Sequence, residues 1–320
     1  MKKKTLIVAF AAGAVTAVTA GFIGIGEAFV HAALDTDRIK TKGNKTLKKN
    51  SGEVDLPDYM PGIRCQDPGR WSDDPQNYQD AYIVNDGLTL HSRLYTNDSH
   101  VYVVFHHGYS SSLTYMGPFV HKVHERGYNV LAIEPRGHGD SQGHYTSMGW
   151  YEKDDLVKWI SYVNERDPEA RIILYGISMG ASTVMLALGE ELPDNVLCAI
   201  EDCGYSSLME EYVYQCRTTT HYPLFVLLAG DLVTRVKLGF SYFDVNCKKA
   251  LEKNTRPLLV IHGTEDTFVP YEMAQKNYNS TAGEKKLLPV EGATHTRSSS
   301  RDPELYWKTF FGFIDRHLKE

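Results

Sequence analysis

The chain has 320 residues, 42% hydrophobic and 23% charged, a composition that supports a large buried core and excludes a disordered or collagen-like protein. The chain has 34 basic and 40 acidic residues, and its first 50 positions hold nine of the basic and three of the acidic ones. The remaining 270 positions therefore carry 25 basic and 37 acidic residues, a net charge of −12. Such an acidic body argues against nucleic acid as a partner, because binding to a phosphate backbone depends on clustered Lys and Arg.

The N-terminus has the composition of a membrane segment. Lys2–Lys4 precede Thr5–Gly26, which holds no charged residue and would be about 33 Å long as a helix, enough to cross a hydrocarbon core of about 30 Å. Because Lys-rich flanks stay in the cytoplasm, we predict a single-pass anchor in residues 1–34, with the rest of the chain outside the cytoplasm at the cell membrane. Small residues up to Ala20 and Ala32 leave signal-peptide cleavage and secretion as the alternative.

The next two predicted regions are a tether and one large domain. Residues 35–52 are rich in Lys, Thr and Asn and poor in large apolar side chains, which predicts a solvated tether. Its lysines could also contact anionic lipid head groups. Residues 53–320 are predicted to form a single domain.

From residue 81 onward, short β-rich segments alternate with longer amphipathic ones. This alternation predicts an α/β fold with a mostly parallel sheet of eight strands and helices on both faces. The predicted strands are Ala81–Asn85, Leu88–Tyr95, Val101–His106, Asn129–Ile133, Arg171–Gly176, Val196–Glu201, Pro257–His262 and Lys285–Pro289. The predicted helices are Leu113–Arg126, Trp150–Glu165, Ala181–Leu188 and a closing helix that begins at Asp302–Pro303.

One stretch, residues 206–255, interrupts this alternation and is too long for a simple crossover between two strands. Within it, Leu224, Leu228, Leu232 and Val236 recur at intervals of four residues and form an apolar stripe on one helix. We predict a small helical cap whose apolar stripe lies over the carboxyl edge of the sheet and over the functional site.

A strand–turn–helix motif points to one serine as a nucleophile. The predicted strand that begins at Arg171 leads into GISMG (176–180), a G-x-S-x-G sequence followed by a helix-forming segment. So tight a turn strains the serine backbone and requires glycine on both sides, because side chains there would collide with the strand and the helix. Ser178 is therefore the predicted nucleophile.

A serine hydroxyl needs a general base, which in turn needs an acid to orient it. The segment LLVIHGTEDTFVP (258–270) predicts a buried strand that ends in a polar turn carrying Asp266. The segment LPVEGATH (288–295) ends the next strand in a loop that presents His295. The chain order is Ser, Asp, His, the order found after a G-x-S-x-G elbow.

Three other carboxylates compete with Asp266 for the role of the acid. Glu265 is its neighbour, and Glu201 and Asp202 end an earlier predicted strand at the same edge of the sheet. We expect Glu265 to cap the turn, and Asp202 to border the pocket or organise its loop.

An acyl-transfer site also needs hydrogen-bond donors for the oxyanion. The sequence HHGY (106–109) ends a predicted strand, so the amides of Tyr109 and Met179 are the predicted donors. The histidine pair in HHGY does not predict a metal site, because adjacent strand residues face opposite sides.

No metal or organic cofactor is predicted. The five cysteines and the histidines show no zinc spacing, and the glycine-rich EPRGHGDS (134–141) lacks the Lys-Ser/Thr of a phosphate-binding loop. We expect the cysteines to be buried small apolar residues, and Arg136 and Asp140 to pair within that glycine-rich turn.

Together, HHGY, EPRGHGDS, GISMG, IHGTEDTFVP and GATH resemble the motifs of the α/β-hydrolase superfamily over residues 81–319. The similarity is greatest to bacterial exported or membrane-anchored hydrolases of the serine-aminopeptidase-like branch. It implies the same nucleophile, acid, base and amide donors that the residues indicate. Lipases often have HGGG where this chain has HHGY, which argues against activity on large acyl chains.

We therefore expect a serine hydrolase that acts through an acyl-enzyme, a carboxylesterase on small or medium esters. The alternative is amide hydrolysis by a serine aminopeptidase-like enzyme, for which Glu201, Asp202 and Glu210 could bind a substrate amino terminus. A non-catalytic binding module on the same fold is a third hypothesis, because a fold does not prove a function.

Overall fold

The computed structural model describes residues 19–37 and 68–319. Within them, eight strands form one sheet in the order β1-β2-β4-β3-β5-β6-β7-β8. Strand β2 pairs antiparallel with β1 and β4, and the other neighbours pair in parallel. The predicted eight-stranded, mostly parallel sheet is confirmed. The strands are β1 (Gln79–Asn85), β2 (Leu88–Tyr95), β3 (Val101–His106), β4 (Asn129–Ile133), β5 (Arg171–Ile177), β6 (Val196–Asp202), β7 (Leu258–Gly263) and β8 (Lys285–Val290).

Helices cover both faces of this sheet. Their bounds are α1 (residues 19–33), α2 (Leu113–Glu125), α3 (Glu152–Arg166), α4 (Met179–Ala187), α5 (Leu208–Gln215), α6 (Phe225–Leu238), α7 (Cys247–Leu251), α8 (Tyr271–Ser280), α9 (Ser298–Arg301) and α10 (Pro303–His317). Short 3₁₀ and π turns lie at Pro68–Asp73 and Cys216–Thr220.

The core consists of two layers, one on each face of the sheet. Successive residues of β3 point to opposite faces, so Val104 packs in the layer that contains Trp159 of α3. Phe105 packs in the other layer with Phe119 of α2 and Tyr175 of β5. Both faces of the central strands are therefore dry, which explains why their sequences lack polar alternation.

The cap lies between β6 and β7, and its two ends are joined. Ser207 forms a β-bridge with Asn246, and the Leu208 amide donates to the Val245 carbonyl over 3.0 Å. Helices α5, α6 and α7 lie between or beside these closing contacts. The insertion is thus fastened to the sheet edge at its base.

The predicted orientation of the apolar stripe is wrong. Leu224, Leu228, Leu232 and Val236 are 45%, 54%, 46% and 82% exposed. The buried face of α6 is the one that carries Leu227, Ala229, Gly230 and Val233. Small residues on this second face allow another helix to approach closely, and that helix is α1.

Helix α1 and the residues after it lie on the body of the protein. Val30 and Leu34 are fully buried, and the Thr36 amide donates to the His144 carbonyl over 2.9 Å. Asp35 and Thr36 of the predicted tether are therefore paired with the body through the backbone, by a β-bridge to Tyr145 and a hydrogen bond to His144. The tether's residues 38–52 lie outside the described residues.

The predicted membrane segment is described only in part. Residues 5–18 lie outside the described residues. Among the helices of residues 19–37 and 68–319, none combines the length and the apolar composition that crossing a bilayer requires.

Candidate active site

Ser178 occupies the sharp turn between β5 and α4, with φ 56° and ψ −120°. The turn works only with glycine on both sides. A Cβ at Gly176 would lie 2.2 Å from the Gly180 carbonyl oxygen, and one at Gly180 would lie 2.1 Å from the His106 carbonyl oxygen. The strained backbone holds the Ser178 side chain at the start of a helix, as a nucleophile elbow requires.

The structure brings Ser178, His295 and Asp266 together in one hydrogen-bonded row. Ser178 Oγ lies 2.9 Å from His295 Nε2, and His295 Nδ1 lies 2.7 Å from Asp266 Oδ2. The Asp266 side chain is fully buried, whereas that of His295 is 21% exposed. This is the geometry in which an imidazole can take a proton from the serine while a carboxylate fixes its orientation.

Asp266 is held as an anion by its surroundings. Its Oδ1 accepts hydrogen bonds from the amides of Phe268 and Val269, each over 2.9 Å. Burial raises the pKa of Asp266, but hydrogen bonds from His262 and His295 outweigh it and lower the pKa to about 2. The carboxylate therefore stays charged over the whole neutral range.

The two predicted oxyanion donors flank the nucleophile. Met179 is the first residue of α4, so its amide has no acceptor within that helix. Tyr109 follows Gly108, at which a Cβ would lie 3.2 Å from Ser178 Cβ. Glycine at position 108 thus lets the strand end lie directly beside the serine.

The Tyr109 side chain has a second role. Its hydroxyl donates to the Ala33 carbonyl at the end of α1 over 2.9 Å. The N-terminal helix is therefore bonded directly to the residue that carries one predicted oxyanion amide.

The histidines of HHGY are buried and neutral. Burial lowers the pKa of His106 to about 4 and holds the pKa of His107 well below its ordinary value. Each ring donates through Nδ1 to the carbonyl of the next residue, His107 or Gly108, over 2.9 and 2.8 Å. They shape the loop that ends in Tyr109.

The three alternative acids lie elsewhere. Glu265 is exposed, and its amide donates to the Ala293 carbonyl, so it lies in the turn as predicted. Asp202 Oδ2 accepts from the Tyr306 hydroxyl over 2.8 Å, and burial raises the Asp202 pKa to about 6. Glu201 is fully buried, and burial raises its pKa to about 7.

Sequence reasoning missed two groups near the acid. His262 Nε2 donates to the Val269 carbonyl over 2.8 Å and lies 3.3 Å from Asp266 Oδ2. Its position four residues before Asp266 in the HGTED motif is a signal that could have identified it. Glu211 of the cap, buried with its pKa raised by burial to about 8, has no comparable signal in the sequence.

The predicted pairing of Arg136 with Asp140 is wrong. Arg136 binds Asp155 through two hydrogen bonds of 2.7 Å and Asp86 over 3.1 Å, and not Asp140 as predicted. Asp140 instead donates its amide to Glu134. Asp155 comes from α3, so its proximity depends on the tertiary fold and not on the local turn.

The cysteines of the described residues are buried thiols. They are Cys198, Cys203, Cys216 and Cys247. Cys203, Asp266 and His295 place possible metal-ligating atoms within 4.8 Å of one another. However, Asp266 and His295 are bonded to each other, and burial holds the Cys203 pKa well above its ordinary value, which disfavours the thiolate that a metal needs.

A mostly parallel eight-stranded sheet with a serine elbow at its carboxyl edge defines the α/β-hydrolase class. A family model described as serine aminopeptidase, S33, matches residues 97–201. The uncharacterized protein YqkD of Bacillus subtilis is 30% identical over 215 residues, which cover 67% of this chain and 70% of that protein. The chain therefore belongs to the α/β-hydrolase superfamily, in its serine-aminopeptidase-like branch.

Solved structures give the same class. The esterase Pf2001 of Pyrococcus furiosus is 28% identical, with a TM-score of 0.61, and the match covers 75% of this chain and 92% of that one. The acylaminoacyl peptidase of Pyrococcus horikoshii is 19% identical, with a TM-score of 0.58 and coverage of 79% and 44%, a likeness of fold alone. The protein is thus a hydrolase of the serine type, with both an esterase and a peptidase among its structural neighbours.

Proposed function

We propose that the protein is a carboxylesterase that cleaves small or medium esters through an acyl-enzyme on Ser178. The observation that carries the proposal is the row from Ser178 Oγ through His295 to Asp266, with distances of 2.9 and 2.7 Å. A binding module would have no need for a strained serine aligned with a base and a buried acid.

In this mechanism Ser178 Oγ attacks the acyl carbon while His295 Nε2 takes its proton. The amides of Tyr109 and Met179 donate to the oxyanion that forms. His295 then gives the proton to the departing alkoxide, the bond between the acyl carbon and that oxygen breaks, and the acyl group remains on Ser178. A water molecule, activated by the same imidazole, hydrolyses the acyl-serine and restores the enzyme, while Asp266 stabilises each imidazolium.

Ester substrates fit the mouth of the site better than substrates with a free amino terminus. Phe268 is 51% exposed, and its ring lies 4.9 Å from that of His295, which gives an apolar surface beside the base. Both oxygens of Glu210 are paired, one with Lys248 and one with Lys276.

The two other acids considered for amine binding are enclosed. Glu201 and Asp202 are 0% and 2% exposed. Glu201 and Asp202 are therefore closed to a substrate ammonium group, and the charge of Glu210 is already neutralised by two lysines. This observation favours the ester over the aminopeptidase alternative.

We place this hydrolase at the cell membrane, with its catalytic domain outside the cytoplasm. The support is in the sequence, where three lysines precede an uncharged run up to Gly26. Secretion after cleavage of this segment is the alternative, and the N-terminal sequence of the mature protein distinguishes the two.

A fluorophosphonate probe tests the proposed chemistry. We expect it to label the wild-type protein and to fail with Ser178→Ala, which should also lose turnover of nitrophenyl esters. Ser161→Ala, on the surface of α3, is the matched control and should be labelled normally. Undiminished labelling and turnover in Ser178→Ala would refute the assignment of the nucleophile.

A further inference from the structure

The apolar stripe of the cap has no partner among the described residues. Leu224, Leu228, Leu232 and Val236 are between 45% and 82% exposed and share one side of the helix. At 1.5 Å per residue the stripe is about 18 Å long. Phe225, 48% exposed, adjoins its N-terminal end. Single exposed apolar residues are ordinary, but a row of this length on one helix face marks an interaction surface.

Helix α1 is fixed to a different side of the same cap helix. A Cβ at Gly26 would lie 2.3 Å from the Ala229 carbonyl oxygen, and one at Gly230 would lie 2.7 Å from the Phe29 ring. Phe29 also packs edge-on against Tyr212, with ring centroids 5.5 Å apart. Contacts this close, from both helices, hold α1 in one position on the cap.

The contacts of α1 extend from the middle of α6 to its C-terminal end. Phe29 of α1 lies against Gly230, whereas Glu27, nearer the start of α1, forms an ion pair of 2.9 Å with Lys237 at the end of α6. Glu27 therefore lies within ion-pair reach of the C-terminal end of α6. At that end Val236 is 82% exposed, the highest value in the stripe.

The first described turns of α1 are themselves apolar and exposed. Ile23 and Ile25 are 44% and 38% exposed. The chain before them is Lys2–Lys4 followed by Thr5–Val18, which contains no charged residue. A bilayer that receives this segment must therefore lie within a few residues of the contact between α1 and α6.

We propose that the apolar stripe, together with Ile23 and Ile25, docks on the lipid bilayer. The inference rests on the membrane anchoring proposed above and not on the hydrolase chemistry. Because Gly26 is fixed to the cap, the anchor does not end in a flexible tether, and the stripe meets the interfacial region of the membrane in a fixed orientation. Apolar side chains that enter the interfacial region of a bilayer strengthen membrane binding in proportion to the area that they bury.

Site-directed fluorescence in the full-length protein tests this surface. Cys65→Ser removes the one cysteine outside the described residues, and the other four are buried. In that background, Val236→Cys carries an environment-sensitive dye. The control is Val84→Cys on β1, an exposed apolar position of 64%. The protein is reconstituted in vesicles of phosphatidylcholine and phosphatidylglycerol that contain nitroxide-labelled lipid, with iodide as the aqueous quencher.

We expect the dye at position 236 to lose fluorescence to nitroxide lipid and to be shielded from iodide, with the reverse result at position 84. Quenching at position 236 by iodide and not by nitroxide would overturn the proposal. Shielding from both quenchers would also overturn it, because another segment of the chain or a second copy would then cover the stripe. Ser178→Ala should leave the lipid quenching unchanged, so this test is independent of the proposed esterase activity.

Discussion

Sequence patterns predicted both the site at the carboxyl edge of the sheet and the cap. Only the pattern at the sheet edge also predicted where its side chains point. At the sheet edge, the GISMG elbow sets a backbone geometry that fixes where Ser178 must point. In the cap, the period of four residues established which side chains share a face of α6 but not the direction of that face. The structure turns that face outward, because Ala229 and Gly230 on another face accept α1 at close range. A motif that requires one backbone geometry predicts where its side chain lies, whereas periodicity predicts only which side chains share a helix face.

The strongest test of this contrast at the sheet edge is Asp266→Asn. The amide cannot hold the imidazole in the required tautomer, so we expect kcat for a nitrophenyl ester to fall by about 10³ to 10⁴ while the fold is kept. The measurement is steady-state turnover, with circular dichroism as the check on folding. Asp202→Asn is the matched control, and a larger loss there would mean that the acid is misassigned.

In the cap, two neighbouring leucines separate the buried face from the exposed one. Leu227 is 1% exposed and Leu228 is 54% exposed. Leu227→Ala should lower the free energy of unfolding by about 2 to 5 kcal/mol, because it leaves a cavity. Leu228→Ala should change it by no more than about 0.5 kcal/mol. Equal losses in urea unfolding of the two variants would contradict the orientation of α6.

The buried carboxyl of Glu211 makes the free energy of unfolding depend on pH in a way that no sequence pattern predicts. Burial raises its pKa from 4.5 to about 8, so the unfolded chain releases this proton at lower pH than the folded one does. The penalty on folding is absent below 4.5, grows up to about pH 8 and is constant above it.

Glu211→Gln should therefore be more stable than wild type at alkaline pH, by a few kcal/mol. The gain should vanish in acid. Thermal unfolding measured across this range checks the sign, and a gain that is largest in acid would contradict the burial of a neutral carboxyl.

The smallest expected effect comes from the link between the two regions. Tyr109→Phe removes the hydrogen bond to the Ala33 carbonyl, worth about 0.5 to 1.5 kcal/mol, but keeps the backbone amide proposed to bind the oxyanion. We expect a small loss of stability and nearly unchanged kcat. A loss of activity as large as that of Asp266→Asn would show that the side chain takes part in the chemistry.

The fold was predictable because the sheet is buried on both faces. Strands β2, β3 and β4 have the predicted bounds, and the other strands differ by at most two residues at an end. Continuous apolar runs bounded by glycine or polar turns leave few alternative registers. Strands β5, β7 and β8 run parallel in this sheet, so their carboxyl ends lie at one edge. The three aligned side chains, Ser178, Asp266 and His295, follow those ends.

The remaining features depend on long-range contacts that local sequence does not encode. Arg136 pairs with Asp155, 19 positions away, and not with its near neighbour Asp140. Helix α1 packs on the cap, where Glu27 meets Lys237, 210 positions further along the chain. The apolar composition of residues 5–26 predicts a membrane segment, but it does not reveal that Gly26, at the end of that segment, packs against the cap.

Trapping of the acyl-enzyme tests the central claim most directly. The protein is mixed rapidly with a nitrophenyl ester, quenched in acid, and digested for mass spectrometry. We predict an acyl group on Ser178 within the GISMG peptide, formed at the rate of the nitrophenol burst and absent from Ser178→Ala. An acyl group on another residue, or ester turnover in Ser178→Ala at the wild-type rate, would contradict the account.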